Sequence, residues 1–483
     1  MINRDQPIPL YHQLKTLIKE QIQTGALQPG DRLPTEESFC ELYQISRAPV
    51  RHALTDLVQE GIIYRKPGVG TFVSRRAVKS PTYVRFFAND ALWIALMEQA
   101  VEAWHAALRS PVALSIEVPA GDIFHYRLRT AAAQGEAPDI VSLDCVWLSG
   151  YAHQGYLRPL DALAPTWRQA LEATLEPSIY RSQVIDGQLY GMPVQSDVTG
   201  LWYRRDWFAS AGLEPPQTWD ALREVLAYFD RAEIKRRYGH RYALALSGSS
   251  KAGEATVNTL FTLVWGAGGD LLDSQRRRVV AEPATFATLA LLQELNTAGY
   301  LPPDGADFDC WEAARMLARG EVPMSFGGTY EYPVIQETSG WESEAIVLHH
   351  ANFVALPRPG ADDPPVASLG GTSWGITRQA EHPDICIELM RLATSEDLIT
   401  GYYARTPQIS PFQALNQRLS AYHPWIAHTL PLIEVARFRP QMSQYRQVSK
   451  FLQQMVERIL WERASIEETV VQTTQSIQLL LIE

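Results

Sequence analysis

Arg47 and Arg51 stand four residues apart directly after Ser46, the spacing that puts both guanidinium groups on one face of a helix near its start. Guanidinium forks in a first helical turn suit paired hydrogen bonds to O6 and N7 of guanine in a major groove. A second pair of cations, Arg65 and Lys66, precedes Pro67-Gly68-Val69-Gly70, a glycine-rich tip whose backbone could lie against a duplex. Far along the chain, the apolar run Ile140-Val141-Ser142-Leu143 stops at Asp144, with Trp147 close behind. In open α/β sheets ligands collect at the carboxyl ends of strands, so this carboxylate and ring fall where a binding cleft forms. No paired carboxylates, metal-ligand spacing or nucleophile elbow stands out, and neither catalysis nor a cofactor is expected.

Local signals define the elements that must hold the arginines. Leu10, Leu14, Leu17, Ile18 and Ile22 recur at helical spacing and predict a first helix ending near Gly25. Thr35 is placed to cap a second helix, with Phe39 and Leu42 expected to face the core. Ser46 is placed to cap a third, in which Pro49 costs no intrahelical bond and Val50, Leu54, Leu57 and Val58 form the apolar stripe. Strand-like runs Ile62–Lys66 and Thr71–Val73 flank the glycine tip. Three helices with a tight turn between the second and third, then a basic hairpin, is the order of a winged helix-turn-helix.

The charge balance agrees with this division. Residues 1–76 hold ten Lys and Arg against eight Asp and Glu, whereas the remaining residues hold 33 against 46, so the net charge of −11 belongs to the long second segment. At 483 residues, with 46% hydrophobic and 20% charged residues, several folded units are expected and no disordered tract. Cys40, Cys145, Cys310 and Cys386 lie far apart, which suggests buried thiols in place of a zinc site or disulfide framework. Residues 1–7 lack the basic start and apolar run of a secretory signal, and no stretch of about 18 apolar residues could span a bilayer, so a cytoplasmic protein without a membrane partner is expected.

Residues 7–74 resemble the GntR family of bacterial regulators through Leu33-Pro34-Thr35-Glu36, Ser46-Arg47-Ala48-Pro49-Val50-Arg51, Glu60-Gly61-Ile62-Ile63 and Gly68-Val69-Gly70-Thr71-Phe72-Val73. The resemblance implies that Ser46, Arg47 and Arg51 contact bases or phosphates, that Thr35 contacts the DNA backbone, and that Gly68 and Gly70 let the wing approach the duplex. Glu37 departs from the arginine that many relatives carry there, which implies a different operator. Operator DNA and a second copy of the chain are the expected macromolecular partners, since helix-turn-helix proteins usually read two half-sites.

A linker at 75–81, spanning about 23 Å at full stretch, leads into alternating strands and helices from Thr82 onward, the pattern of parallel sheets. This long segment is similar to family 1 extracellular solute-binding proteins, the maltose-binding-like receptors. The motifs include Gly135-Glu136-Ala137-Pro138-Asp139-Ile140-Val141, Asp186-Gly187-Gln188-Leu189-Tyr190-Gly191-Met192-Pro193, Pro323-Met324-Ser325-Phe326-Gly327-Gly328 and Leu369-Gly370-Gly371-Thr372-Ser373-Trp374-Gly375. The fold class expected is therefore multi-domain α/β: a winged helix-turn-helix at 1–76, a linker completed by 77–81, and a two-lobed, periplasmic-binding-protein-like (type II) domain at 82–483. Lobe one is expected at about 82–194 and 369–430 and lobe two at about 195–368 and 431–483, with Gln195-Ser196-Asp197 and Pro365–Ser368 as hinge candidates.

The resemblance implies a small-molecule effector, with a carbohydrate expected. Sugars present apolar C–H faces and a rim of hydroxyls, so aromatic surfaces and oriented polar groups are needed. The ligand-facing loops of that family would hold Trp147, Trp265, Tyr330 and Trp374, the last two expected to stack because glycine neighbours suggest exposed loops. Asp144, Ser196, Asp197 and Ser373 are the polar candidates, and Tyr190 is expected to pack within its own motif. Two alternatives stay open. The effector could be an amine, a peptide or a metal; and some GntR relatives carry a pyridoxal-phosphate aminotransferase-like domain, although the surroundings of Lys251 do not resemble its site.

Overall fold

A computed structural model of the chain describes residues 2, 9–23, 26–66, 68–74, 81–107, 111–119, 123–273 and 281–482. Most of the expected linker (75–80) and the expected helix stop at Gly25 lie outside them. The chain divides into two compact units, Met1–Ser142 with Ile376–Ile399, and Leu143–Gly375 with Thr400–Glu483.

The first unit opens with helices α1 (Leu10–Gln23), α2 (Glu36–Tyr43) and α3 (Arg47–Gln59), followed by strands β1 (Ile63–Lys66) and β2 (Gly70–Val73). Leu14 and Ile18 of α1, Phe39 of α2, and Val50, Leu54 and Leu57 of α3 bury together with Leu33, Ile63 and Val73. This is the apolar stripe that helical periodicity predicts. Leu42 is a correction: it is 64% exposed, because α2 turns Phe39 inward and stacks it on Tyr43 one turn later, their rings 6.2 Å apart. Thr35 caps α2, its hydroxyl accepting the Ser38 amide at 3.1 Å. Ser46 stands at the N-cap of α3 with extended backbone but makes no side-chain capping bond.

β1 and β2 pair antiparallel from Ile63 opposite Val73 to Lys66 opposite Gly70. Gly70 has φ +142°, a backbone conformation that a side chain would strain, and a Cβ there would also press on Arg32 Nε at 2.8 Å.

After the linker, β3 (Thr82–Phe87), α4 (Leu92–Ala106), β4 (Val112–Glu117), α5 (Phe124–Ala133) and β5 (Ile140–Asp144) follow. β3 pairs parallel with both β4 and β5. Helix α4 packs on β4 and on the helix Pro383–Ala393. Buried Asp139 ties β5 to its neighbours, accepting the Arg85 amide at 2.8 Å and the Glu381 amide at 3.0 Å.

The second unit contains a six-stranded sheet with Asp197–Tyr203 at its centre, buried along its whole length. That strand pairs antiparallel with Met324–Gly328 on one side and with Asn352–Val354 and Ala367–Gly370 on the other. Ala367–Gly370 pairs parallel with Ala436–Phe438. Beneath lies Glu254–Gly266, a helix buried nearly all round, its polar Thr256, Asn258, Thr259 and Thr262 included. The amphipathic helix Tyr445–Leu460 packs on it, and Ile466–Ile482 packs on Tyr445–Leu460 in turn. At Gly371, φ is +144° and any Cβ would overlap the Gln195 carbonyl oxygen. Gly371, three residues past the second hinge candidate, therefore runs against Gln195 of the first with no space for a side chain.

Candidate functional site

In the head, Arg47 and Arg51 lie in the first two turns of α3 with side chains 73% and 72% exposed. Each faces an acidic residue of α2: Arg47 Nη2 lies 3.4 Å from Glu37 Oε1, and Arg51 Nε lies 3.3 Å from Glu36 Oε2. Arg65 of β1 reaches the same Glu36 at 3.6 Å, drawing the wing toward the start of α2. Pairs this exposed contribute little stability, so exchanging a carboxylate for a base edge or phosphate costs little. Lys66 lies over the Phe72 ring at 5.7 Å, and Gly68 holds φ +73° at the hairpin tip. The structure thus gathers Thr35, Ser46, Arg47, Arg51, Arg65, Lys66, Gly68 and Gly70 into the head formed by α2, α3 and the hairpin.

In the second unit a buried charged cluster forms where strands end. Asp144 closes β5 and caps the turn Cys145–Trp147 by accepting the Val146 amide at 3.1 Å. Arg439, just beyond Ala436–Phe438 and only 1% exposed, donates to Asp144 at 3.4 Å and pairs with Glu254. Glu254, in the first turn of Glu254–Gly266, also accepts from the Tyr445 hydroxyl at 2.9 Å, the Ser449 hydroxyl at 2.6 Å and the Trp147 indole at 3.5 Å. Burial pushes the Glu254 carboxyl upward while Arg439 opposes the shift. Asp197, 8% exposed at the start of the central strand, is pushed up to about 7 by burial, with the charge of Asp144 adding to the shift. Two carboxylates therefore pair with one guanidinium, and a third, Asp197, lies within the field of both Asp144 and Arg439.

Aromatic surface lies near these charges. Trp147 is half-buried beside Glu254, and half-buried Tyr330 meets half-buried Trp311 edge-on, the ring centroids 5.5 Å apart. Burial and neighbouring Glu331 push the Tyr330 hydroxyl well up, so it remains a neutral donor. The hydroxyls of Ser196 and Ser373 and the indole nitrogen of Trp265 are buried and find no hydrogen-bond partner among the described residues. Trp265 packs on Phe261 at 5.0 Å. Trp374, expected on an exposed loop, lies instead in the strand Thr372–Ile376 with no exposed surface, so its ring belongs to the packed interior.

Asp144, Trp147 and Asp197 are thus brought into one electrostatic neighbourhood with Tyr330. Sequence reasoning missed Arg439, Glu254, Tyr445, Ser449 and Trp311. For Arg439 a signal exists: it follows a strand as Asp144 does, and the carboxyl-end rule applies equally.

A winged helix-turn-helix and a sheet-and-helix α/β domain thus lie on one chain. Residues 112–427 match the model for bacterial extracellular solute-binding proteins, and the chain belongs to that family; its residues 10–73 match the gntR family of bacterial regulatory proteins. Neither is an enzyme family. The head is 50% identical over 74 residues to the HTH-type transcriptional repressor NagR of Bacillus subtilis, a match covering 15% of this chain and 30% of that protein. The lactose-binding protein of Rhizobium radiobacter is 24% identical over 317 residues, 63% of this chain and 68% of that one.

Among solved structures, a solute-binding protein of Thermotoga lettingae bound with α-D-tagatose superposes with a TM-score of 0.73 at 20% identity, covering 83% of this chain and all of that one. Maltose-bound MalE3 of T. maritima gives 0.70 at 21% identity, with 83% and 100% covered. At such identities the superpositions establish the fold alone: a maltose-binding-protein-like α/β domain. No helix among the described residues is long and apolar enough to cross a membrane.

Proposed function

We propose that the chain is a cytoplasmic transcription factor whose grip on operator DNA is set by a small carbohydrate bound in the solute-binding domain. The observation that carries this reading is the union, on one chain, of exposed Arg47 and Arg51 at the start of α3 with a domain whose carboxylates, guanidinium and half-buried rings suit hydroxyls and C–H faces. The sugars named for the Rhizobium and Thermotoga proteins support the ligand class. Asp144, Asp197, Ser196 and Ser373 are the hydroxyl-recognising groups in this proposal, with Trp147, Tyr330 and Trp265 as the aromatic ones. Lobes at about 82–194 with 369–430 and about 195–368 with 431–483 close on the ligand by its higher affinity for the closed state. In a homodimer that closure changes the spacing of paired heads, and couplings of about 1–3 kcal/mol alter operator affinity roughly 5–150-fold.

The DNA half of the proposal is tested by duplex selected from a random library. Arg47→Ala with Arg51→Ala is expected to lose about 1–3 kcal/mol per arginine in specific binding. Ligand-induced shifts in melting temperature stay intact. Equal retention of DNA by the double variant and the parent chain overturns the assignment of α3 as the reading helix.

A second ligand class is favoured by one specific observation, the excess of carboxylates over Arg439. An amine-bearing ligand would supply the missing cation beside Asp197. Melting-temperature shifts with maltose, glucosamine and putrescine separate the two: a shift with maltose supports the neutral sugar, and shifts confined to the two amines support a cationic ligand.

A further inference from the structure

The contact between the reading head and the first helix of the sensor is unusual in being polar, buried and specific. On α1, the Tyr11 hydroxyl donates to Glu98 Oε2 of α4 at 2.8 Å, and His12 Nε2 lies 3.3 Å from the other carboxylate oxygen. The His12 and Glu98 side chains are 7% and 18% exposed, so both groups have given up most of their water for this contact. Burial holds the His12 imidazole down to about 4, with Lys15 and Lys19 adding to the shift, so the ring is neutral at physiological pH. Burial also raises the Glu98 carboxyl, against the Tyr11 hydrogen bond.

The same residues reach the recognition helix. The Tyr11 ring stacks on His52 of α3 at 4.0 Å and 15°. One turn on, Lys15 pairs with Asp56 at 3.2 Å and with Glu60 at 2.8 Å, and Lys19 pairs with Glu60 at 2.8 Å. Helix α1 is therefore fixed to α3 by a ring stack and one ion pair, to the Glu60 cap of α3 by two more, and to α4 through one carboxylate.

We propose that Glu98 is a latch by which the sensor holds the reading head: the Tyr11 hydroxyl docks on it, with the neutral His12 ring packed alongside, and the α1–α3 pair carries its grip to Arg47 and Arg51. Without this contact the head could turn independently of α4, and ligand-driven change in the sensor would then be lost on it. With the latch closed, the attitude of α3 follows α4. The inference rests on the reading of the head as a DNA binder only for its biological meaning; the latch itself is physical and independent of ligand.

The test uses the full chain with Cys40→Ser and Cys310→Ser and spin labels at Leu42→Cys on α2 and Tyr126→Cys on α5, positions 64% and 69% exposed. Pulsed dipolar spectroscopy is expected to give one narrow distance distribution, broadened about twofold by either Glu98→Ala or Tyr11→Phe as the head gains orientations. Phenylalanine keeps the ring for stacking on His52, so the head itself stays folded, and this variant decides the matter if Glu98→Ala does not fold. A broad distribution in the labelled parent chain, or an unchanged one in Tyr11→Phe, overturns the latch. Retention of selected duplex by the parent chain is read separately, so failure of DNA binding and failure of the latch are distinguishable.

Discussion

Replacing Arg439 by methionine is expected to destabilise the chain by about 3–5 kcal/mol, a large part of the stability of an ordinary domain. The guanidinium is 1% exposed and faces both Asp144 and Glu254. Without it, two carboxylates lose their counter-charge at the junction of β5, Glu254–Gly266 and Tyr445–Leu460, and Tyr445 loses a donor at 3.1 Å. Water cannot replace it cheaply in so buried a place. Urea denaturation followed by tryptophan fluorescence reads the loss as a lower midpoint. Adding Asp144→Asn and Glu254→Gln is expected to restore much of it, because the cost lies in stranded charge and not in the missing side chain's volume. If Arg439→Met alone leaves the midpoint in place, the cluster is not a structural keystone.

Asp197→Asn is expected to stabilise the chain at neutral and alkaline pH by about 4 kcal/mol, from a carboxyl raised from 3.8 to about 7 on folding. The folded chain holds this proton more tightly than the unfolded one. The stability that Asp197 contributes is thus fully present below about pH 4 and is lost as pH rises through about 7. Asparagine has no proton to lose, so the gap between variant and parent should open across that interval and then level off. Melting temperatures measured from pH 4 to 9 would show it. A gap independent of pH would mean that Asp197 ionises like an exposed aspartate.

The difference in legibility between head and sensor has a physical basis. Thr35, Pro49, Gly68 and Gly70 act on their own neighbours, through a cap, a tolerated first turn and a hairpin tip, so local chemistry reveals the elements. Leu42 was misread because Phe39 selects Tyr43, not residue 42, as its partner along α2. In the solute-binding domain, Asp144 could be placed from the sequence at the end of a buried strand, with Trp147 in the turn that follows. Its partner Arg439 lies 295 residues away, and such a pairing leaves no periodicity or spacing to read. Trp374 shows the converse. Gly370-Gly371 suggested an exposed loop, but these glycines let two strands approach Asp197 and the Gln195 carbonyl, and the tryptophan that follows is packed inside.

The pairing of Arg47 with Glu37 and of Arg51 with Glu36 bears on how such a head would search a chromosome. A reader with bare cations is drawn to every stretch of duplex alike, since backbone attraction carries no sequence information. Under the proposed function, Arg47 and Arg51 each exchange a weak counter-ion of the neighbouring helix for DNA, so a small part of their sequence-independent attraction to the duplex would be cancelled. On that proposal the acidic start of α2 would serve selectivity by slightly weakening the head's hold on the wrong address.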